Sequence, residues 1–147
     1  ATVLVGELGG ERSPARHDSP LVGAEIHVRT AVTVPLVPDF EHALIVVEGT
    51  VLAVDRTVVP CQLVTFGSGH DALRLESPDE ARVLLIGGEP LTEPILMSWN
   101  FVGRTRDELE AAHDAWNAGD DRFGHVESRL SRTPAPPPVW RMASGSA

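Results

Sequence analysis

Between Leu21 and Ile86 the chain repeats one pattern, a short β-prone run closed by a turn. Leu21–Thr30 alternates, with Val22, Ala24, Ile26 and Val28 on one face and Gly23, Glu25, His27 and Arg29 on the other, the period of a half-buried strand. His42–Val47 leads into a predicted turn at Glu48-Gly49, and Thr50–Val54 leads out to a second turn at Asp55-Arg56. Val58-Val59-Pro60 and Leu63–Phe66 come next, followed by the turn Gly67-Ser68-Gly69. Leu73–Glu76 alternates again, Ser77-Pro78-Asp79 turns the chain, and Ala81–Ile86 is almost continuously aliphatic. Thr2–Val5 is a shorter β-prone piece before a Gly-rich, charged loop, and Pro35 and Pro38 bracket a further loop. Strands this short, at this spacing, make a sandwich or a barrel.

The pattern changes at Gly87–Val102, which reads GGEPLTEPILMSWNFV. Glu89-Pro90 and Glu93-Pro94 each push the residue before proline out of the helical region, so the segment is predicted to be extended and turn-rich. Its Ile95, Leu96, Met97, Trp99, Phe101 and Val102 are too apolar for a solvated loop, which predicts a ribbon lying on the β core. A helix is predicted from Thr105. Thr105 and Glu108 form a capping box, Asp107 and Glu110 add negative charge to the first turns, and Gly119 is the stop. Leu109, Ala112, His113 and Trp116 fall on one stripe, by which the helix is expected to pack on the barrel. Asp120–Ser131 is polar and irregular, Pro134, Pro136, Pro137 and Pro138 predict an extended arm, and Met142–Ala147 reads as a loose end.

The stretch GGEPLTEPILMSWNFVGRTRDELEAAHDAW resembles the signature of the C-terminal domain of pirins, and AGDDRFGHV and RTPAPPP resemble the ending of that family. The resemblance is strong from about Gly87 to Pro138 and weaker before it. Pirins resemble two cupin barrels in one chain, and this chain has length for one. Strand pattern and resemblance together predict an all-β fold: a single cupin-like jelly-roll barrel over residues 1–133, one C-terminal helix at 105–118 packed on it, and a proline-rich tail over 134–147.

Composition excludes more than it selects. With 147 residues, 42% apolar and 22% charged, the chain is an ordinary globular domain with room for one core. A net charge of −9 and no lysine-rich block speak against nucleic acid and against an anionic membrane surface. No run is long enough for a membrane span, and ATVLVGELGGERS lacks the basic start of a signal peptide. Cys61 is the single cysteine, so no intrachain disulfide forms, which suits a reducing, cytoplasmic setting.

Candidate chemistry is sparse. A cupin metal site places two histidines one residue apart, so that both imidazoles reach one ion from the same strand face. None of the six histidines forms that pair. In EHALIVVEG only His42 stands where the first motif would lie, and in GSGHDALRL His70 sits at a turn. The pirin resemblance implies a metal held by the N-terminal barrel and an empty C-terminal barrel, so it implies no metal, cofactor or catalytic residue here. The remaining candidate is an atypical metal site of Glu25, His27, His42 and His70, with Glu25 and His27 more simply read as a solvated face. GSGHDA fits a dinucleotide fingerprint, but LRLES after it opens no helix to hold a phosphate. Cys61, in an apolar strand region, is expected to be a buried, inert thiol. His113 is expected to be packed and hydrogen-bonded, Trp99 and Phe101 to pack in the core rather than line a pocket, and Asn100 to pin the ribbon.

The function expected is that of a pirin-like C-terminal module without its own metal site, a non-catalytic packing or interaction domain. Its expected partner is a second copy, as a homodimer, or a metal-bearing cupin domain, because a barrel face that normally packs on a neighbour is costly to leave wet. The alternatives are a metal-dependent enzyme like quercetin 2,3-dioxygenase, using the atypical site, and a barrel that binds a small molecule.

Overall fold

The computed structural model describes residues 1–143. Its strands are β1 (Thr2–Val5), β2 (Glu7–Leu8), β3 (Glu11–Arg12), β4 (Leu21–Val28), β5 (Ala31–Pro35), β6 (Glu41–Glu48), β7 (Val51–Ala53), β8 (Arg56–Val58), β9 (Leu63–Phe66), β10 (Ala72–Glu76), β11 (Ala81–Gly88), β12 (Leu96–Ser98) and β13 (Phe101–Gly103). Two helices follow, α1 (Arg106–Ala118) and α2 (Val139–Ala143), with a 3-10 turn at Asp121–Phe123 between them. The chain divides into two compact units, Ala1–Pro90 and Leu91–Ala147, where the sequence reads as one domain over 1–133 with a tail from 134.

The first unit is a cupin-type pair of antiparallel sheets, ordered β1-β4-β11-β6-β9 and β5-β10-β7-β8. The alternation in β4 works as the sequence predicts: Val22, Ala24, Ile26 and Val28 are buried, while Glu25 and His27 face out. Leu44 and Val46 of β6 and Val83 and Leu85 of β11 meet Val51, Val58, Leu73 and Leu75 of the other sheet in one apolar cluster. Each such side chain, fully removed from water, contributes on the order of 1.5–3 kcal/mol. Residues 36–40 form the loop expected between Pro35 and Pro38, and Ala31–Pro35, for which the sequence pattern gives no element, is strand β5, paired over its whole length with β10. Pro35 is tolerated because it ends the strand on a sheet edge, where the missing N–H breaks no ladder.

The second unit is built on a hairpin and a helix. Rather than a continuous ribbon, β12 and β13 fold back on each other, with Ser98 opposite Phe101 and Trp99-Asn100 as the turn. Trp99 has φ +52°, the left-handed backbone that two-residue hairpins require and that a bulky residue adopts at a cost. Thr105 caps α1 with a capping box, and Gly119 ends it in the left-handed conformation. Leu109 is fully buried, and its side chain lies against Gly103 of the hairpin. Trp116 meets Trp99 and Phe123 edge-on, with ring centres 5.5 and 5.2 Å apart. Replacing Thr105 by alanine leaves the Glu108 N–H without its acceptor and is expected to cost about 1 kcal/mol. Chemical denaturation would check it, with the slope unchanged and the midpoint lowered.

The tail is extended only to Pro138. Val139–Ala143 turn into α2, beginning where the Arg141 N–H reaches the Pro138 carbonyl. Of the loose end expected over Met142–Ala147, residues 144–147 lie outside the described residues. No helix among the described residues is long and apolar enough to cross a membrane.

Candidate functional site

The four residues of the atypical metal site are not brought together. Glu25 and His27 lie on the outer face of β4, with His27 Nε2 3.5 Å from Glu25 Oε1. That carboxylate also faces Arg82 Nη1 at 3.4 Å. His42 is on the inner face of β6, level with Leu44 and Val46, so the sheet itself separates it from Glu25 and His27. His70 is exposed in the loop before β10. Among the described residues no three of His, Cys, Asp or Glu stand close enough to share a metal ion. A metal needs three or four converging donors, so these residues do not fit one.

His42 is still unusual. It is 3% exposed, and neither ring nitrogen has a hydrogen-bond partner. Its neighbours across the sheet are Phe66 on β9 and Gly87 on β11. Gly87 is there for space: a Cβ on it would lie 2.5 Å from His42 Cδ2. The Phe40 ring stands 6.1 Å away, tilted. Burial holds the imidazole below its ordinary 6.5; the backbone of Phe40, near the ring but outside hydrogen-bond geometry, pulls it up, and His70 adds a smaller downward push. The ring borders a shallow cleft of about 570 Å³ whose other walls include Glu41, Thr65, Phe66 and Ile86.

The outer face of the same sheet is apolar where it should be polar. Ile45 pairs with Leu63 on one side and Leu84 on the other, and Ala43 pairs with Thr65 and Ile86. Leu63 and Ile86 are 53% and 44% exposed, and β9 is an edge strand. Charge begins on the next strand, where Glu25 stands opposite Leu84, and Arg82 joins Glu48 at 2.8 Å and Glu25 at 3.4 Å. The residue pattern of β6 and β11 does not mark which face is inward. The signal was in EHALIVVE and ARVLLIGG, which are apolar at odd and even positions alike, as in strands covered on both sides.

Three single-residue expectations change. Cys61 is exposed, not buried, at φ +66° in the turn before β9, because Pro60 ends the preceding run there. Asn100 is an exposed residue of the β12–β13 turn with no side-chain bond that would pin a ribbon. Trp99 is half-buried. It packs on Phe101, centre to centre 5.3 Å, and also lines a cleft of about 700 Å³ with Trp116, Phe123 and Arg132. His113 is packed and hydrogen-bonded: Nε2 lies 3.0 Å from the Ala135 carbonyl, and Nδ1 3.0 Å from Asp114. Gly67–Asp71 runs as loop straight into β10, so no helix follows GSGHDA.

Residues 21–124 match the model of the pirin C-terminal cupin domain. Over 144 residues the chain is 39% identical to a Pseudomonas aeruginosa protein provisionally named quercetin 2,3-dioxygenase, covering 96% of this chain and 46% of that protein. A pirin-like protein of Caulobacter vibrioides is 31% identical over 120 residues, 81% of this chain and 41% of the relative. The crystal structure of a quercetin 2,3-dioxygenase from Acinetobacter baumannii superposes with a TM-score of 0.81 at 36% identity, over 92% of this chain and 46% of that one. The chain thus spans less than half the length of these relatives.

Proposed function

This chain belongs to the pirin family, as its C-terminal cupin domain, and on that premise we propose that it is a non-catalytic packing module that self-associates. The observation that carries this reading is the apolar row Leu63-Ile45-Leu84 on the outer sheet face, with Ala43 and Ile86 beside it and Thr65 at its edge. Half-buried aliphatic side chains at the centre of a face, beside exposed Leu63 and Ile86 and flanked by ion pairs, have the make-up of an interface core and rim. A second copy is the occupant, joined by two-fold symmetry so that the row meets its own copy. A metal-bearing cupin barrel is the alternative occupant. The setting is cytoplasmic, with Cys61 a free thiol. The dioxygenase activity named for the relatives would need further donors, since among the described residues no three metal-binding side chains converge.

Sedimentation velocity on the wild type and on Ile45→Glu/Leu63→Glu tests the reading. Each buried aliphatic side chain is worth about 1.5–3 kcal/mol, so losing two weakens the dimer by at least ~100-fold. A wild type that stays monomeric at high concentration, or a variant that associates equally well, would overturn it. Restoration of a complex only on adding a metal-bearing cupin domain would instead identify the other occupant.

A further inference from the structure

Residues 133–138 lie along one face of α1 as an extended proline-rich segment that passes into the short helix α2 at Val139, and what holds residues 133–141 there has the form of peptide recognition. Arg106, Glu110, His113, Asp114 and Asn117 share that face by helical spacing. At one end the contacts read main chain. Asn117 brackets Ala135: its Oδ1 accepts from the Ala135 N–H at 2.9 Å and its Nδ2 donates to the Ala135 carbonyl at 3.1 Å. The Trp116 indole N–H donates to the Thr133 carbonyl at 2.8 Å. At the other end they read side chains. The Trp140 indole donates to Glu110 Oε1 at 2.6 Å, and the Arg106 guanidinium stands 5.6 Å from the Trp140 ring centre. Arg141 forks between Glu110 Oε2 at 2.9 Å and both oxygens of Asp114 at 2.9 and 3.0 Å. Between these ends Ala135 is 5% exposed and Pro138 is buried.

A backbone bracket and a buried small residue on a segment that proline already holds extended, followed by a Trp-Arg pair fixed on the first turn of α2, are the parts of a groove that binds proline-rich ligands. Residues 124–132, which lead in, contain neither helix nor strand, so the segment is tethered rather than built into an element. We infer that this face of α1 is a binding site for a proline-rich peptide that is extended over its prolines and ends in a helical turn carrying Trp-Arg, filled in cis by residues 133–141, and that the same segment of a second copy is its partner in trans. The inference stands apart from the outer sheet face, which lies on other residues. Tethering presents the cis segment at an effective concentration on the order of millimolar, so a free copy competes below millimolar concentration only when the cis contacts are weakened. The carboxyls help keep it in place. Arg141, then His113, holds Asp114 well below the carboxylate range, and Trp140, then Arg141, lowers Glu110.

The test uses the full chain and a labelled peptide of residues 131–143. Fluorescence anisotropy should show the peptide binding Arg141→Ala at least tenfold more tightly than wild type, because the cis segment has lost its fork. Adding Asn117→Ala to that variant should weaken binding at least tenfold. Absent binding to Arg141→Ala, binding indifferent to Asn117, or equal binding of a scrambled peptide would overturn the inference. Wild-type protein gives a test independent of any variant. With millimolar peptide, the Trp140 indole N–H signal should move to its free position while that of Trp116 stays; a Trp140 signal that does not move would also overturn it.

Discussion

Gly87→Ala is expected to destabilise the protein by about 1–3 kcal/mol, although conformational preference alone argues the other way. A glycine inside a strand is worse than alanine by roughly 0.5–1 kcal/mol, and Gly87 has no positive φ that would demand glycine. Sterics decide the sign. An added Cβ would stand 2.5 Å from His42 Cδ2 and 2.9 Å from the Glu41 carbonyl oxygen. The imidazole can turn aside, but it is buried and its new position would need space the core does not offer; the carbonyl belongs to the β6 ladder and cannot turn at all. A double-mutant cycle separates the two obstacles. His42→Ala should recover only the part of the loss due to the ring, leaving the part due to the carbonyl. Thermal or denaturant unfolding of the single and double variants reads this directly. A neutral or stabilising Gly87→Ala would mean that the strands part more easily there than their pairing implies.

Most of the strands were legible in the sequence because burial on one face enforces period two. β4, β9 and β10 sit where alternation and turn residues place them, and Thr105 and Gly119 bound α1 as capping chemistry requires. What was hidden depends on partners distant in sequence. β5 ends in a proline and is a strand because β10 pairs with it about 40 residues later. The β12–β13 hairpin turns at Trp99-Asn100, a pair outside the usual Asn-Gly or Asp-Gly signals, so its apolar residues read as one ribbon. Asn117 and Ala135 meet through a main-chain bracket, which leaves no trace in the identity of Ala135 beyond its small size.

The candidate site was legible in the reverse sense. Sequence alone singled out Glu25, His27, His42 and His70, and alternation already put Glu25 and His27 on the outer face. It could not show that His42 points inward: EHALIVVE is apolar at both parities, and the inward set is chosen by pairing with Phe66 and Gly87. The same two-sided apolarity concealed the outer row. A run that reads as doubly buried is, in the first unit, buried on one side and only half-covered on the other, and that difference is the basis of the proposed self-association.

His42→Leu is expected to stabilise the protein by about 1–3 kcal/mol at neutral pH, because a buried polar group without a partner costs about that much and leucine fills a similar volume without one. The effect should depend on pH in a fixed direction. The folded-state imidazole titrates below its ordinary 6.5, so folding favours the neutral ring. Between the two titrations the unfolded chain binds the additional proton, and wild-type stability falls with acidification. Stability owed to the neutral ring is therefore complete above about pH 6.5 and is lost as pH falls through the folded value. Leucine does not titrate. The advantage of His42→Leu over wild type should be constant above pH 7, widen from about 6.5 downward, and level off once the folded wild type is protonated too. Denaturant midpoints at a series of pH values from 8 to 5 would show it. A variant less stable than wild type would mean that the His42 nitrogens are satisfied in solution, by water or by a molecule in the adjoining cleft, and that the residue is kept for what it holds rather than tolerated at a cost.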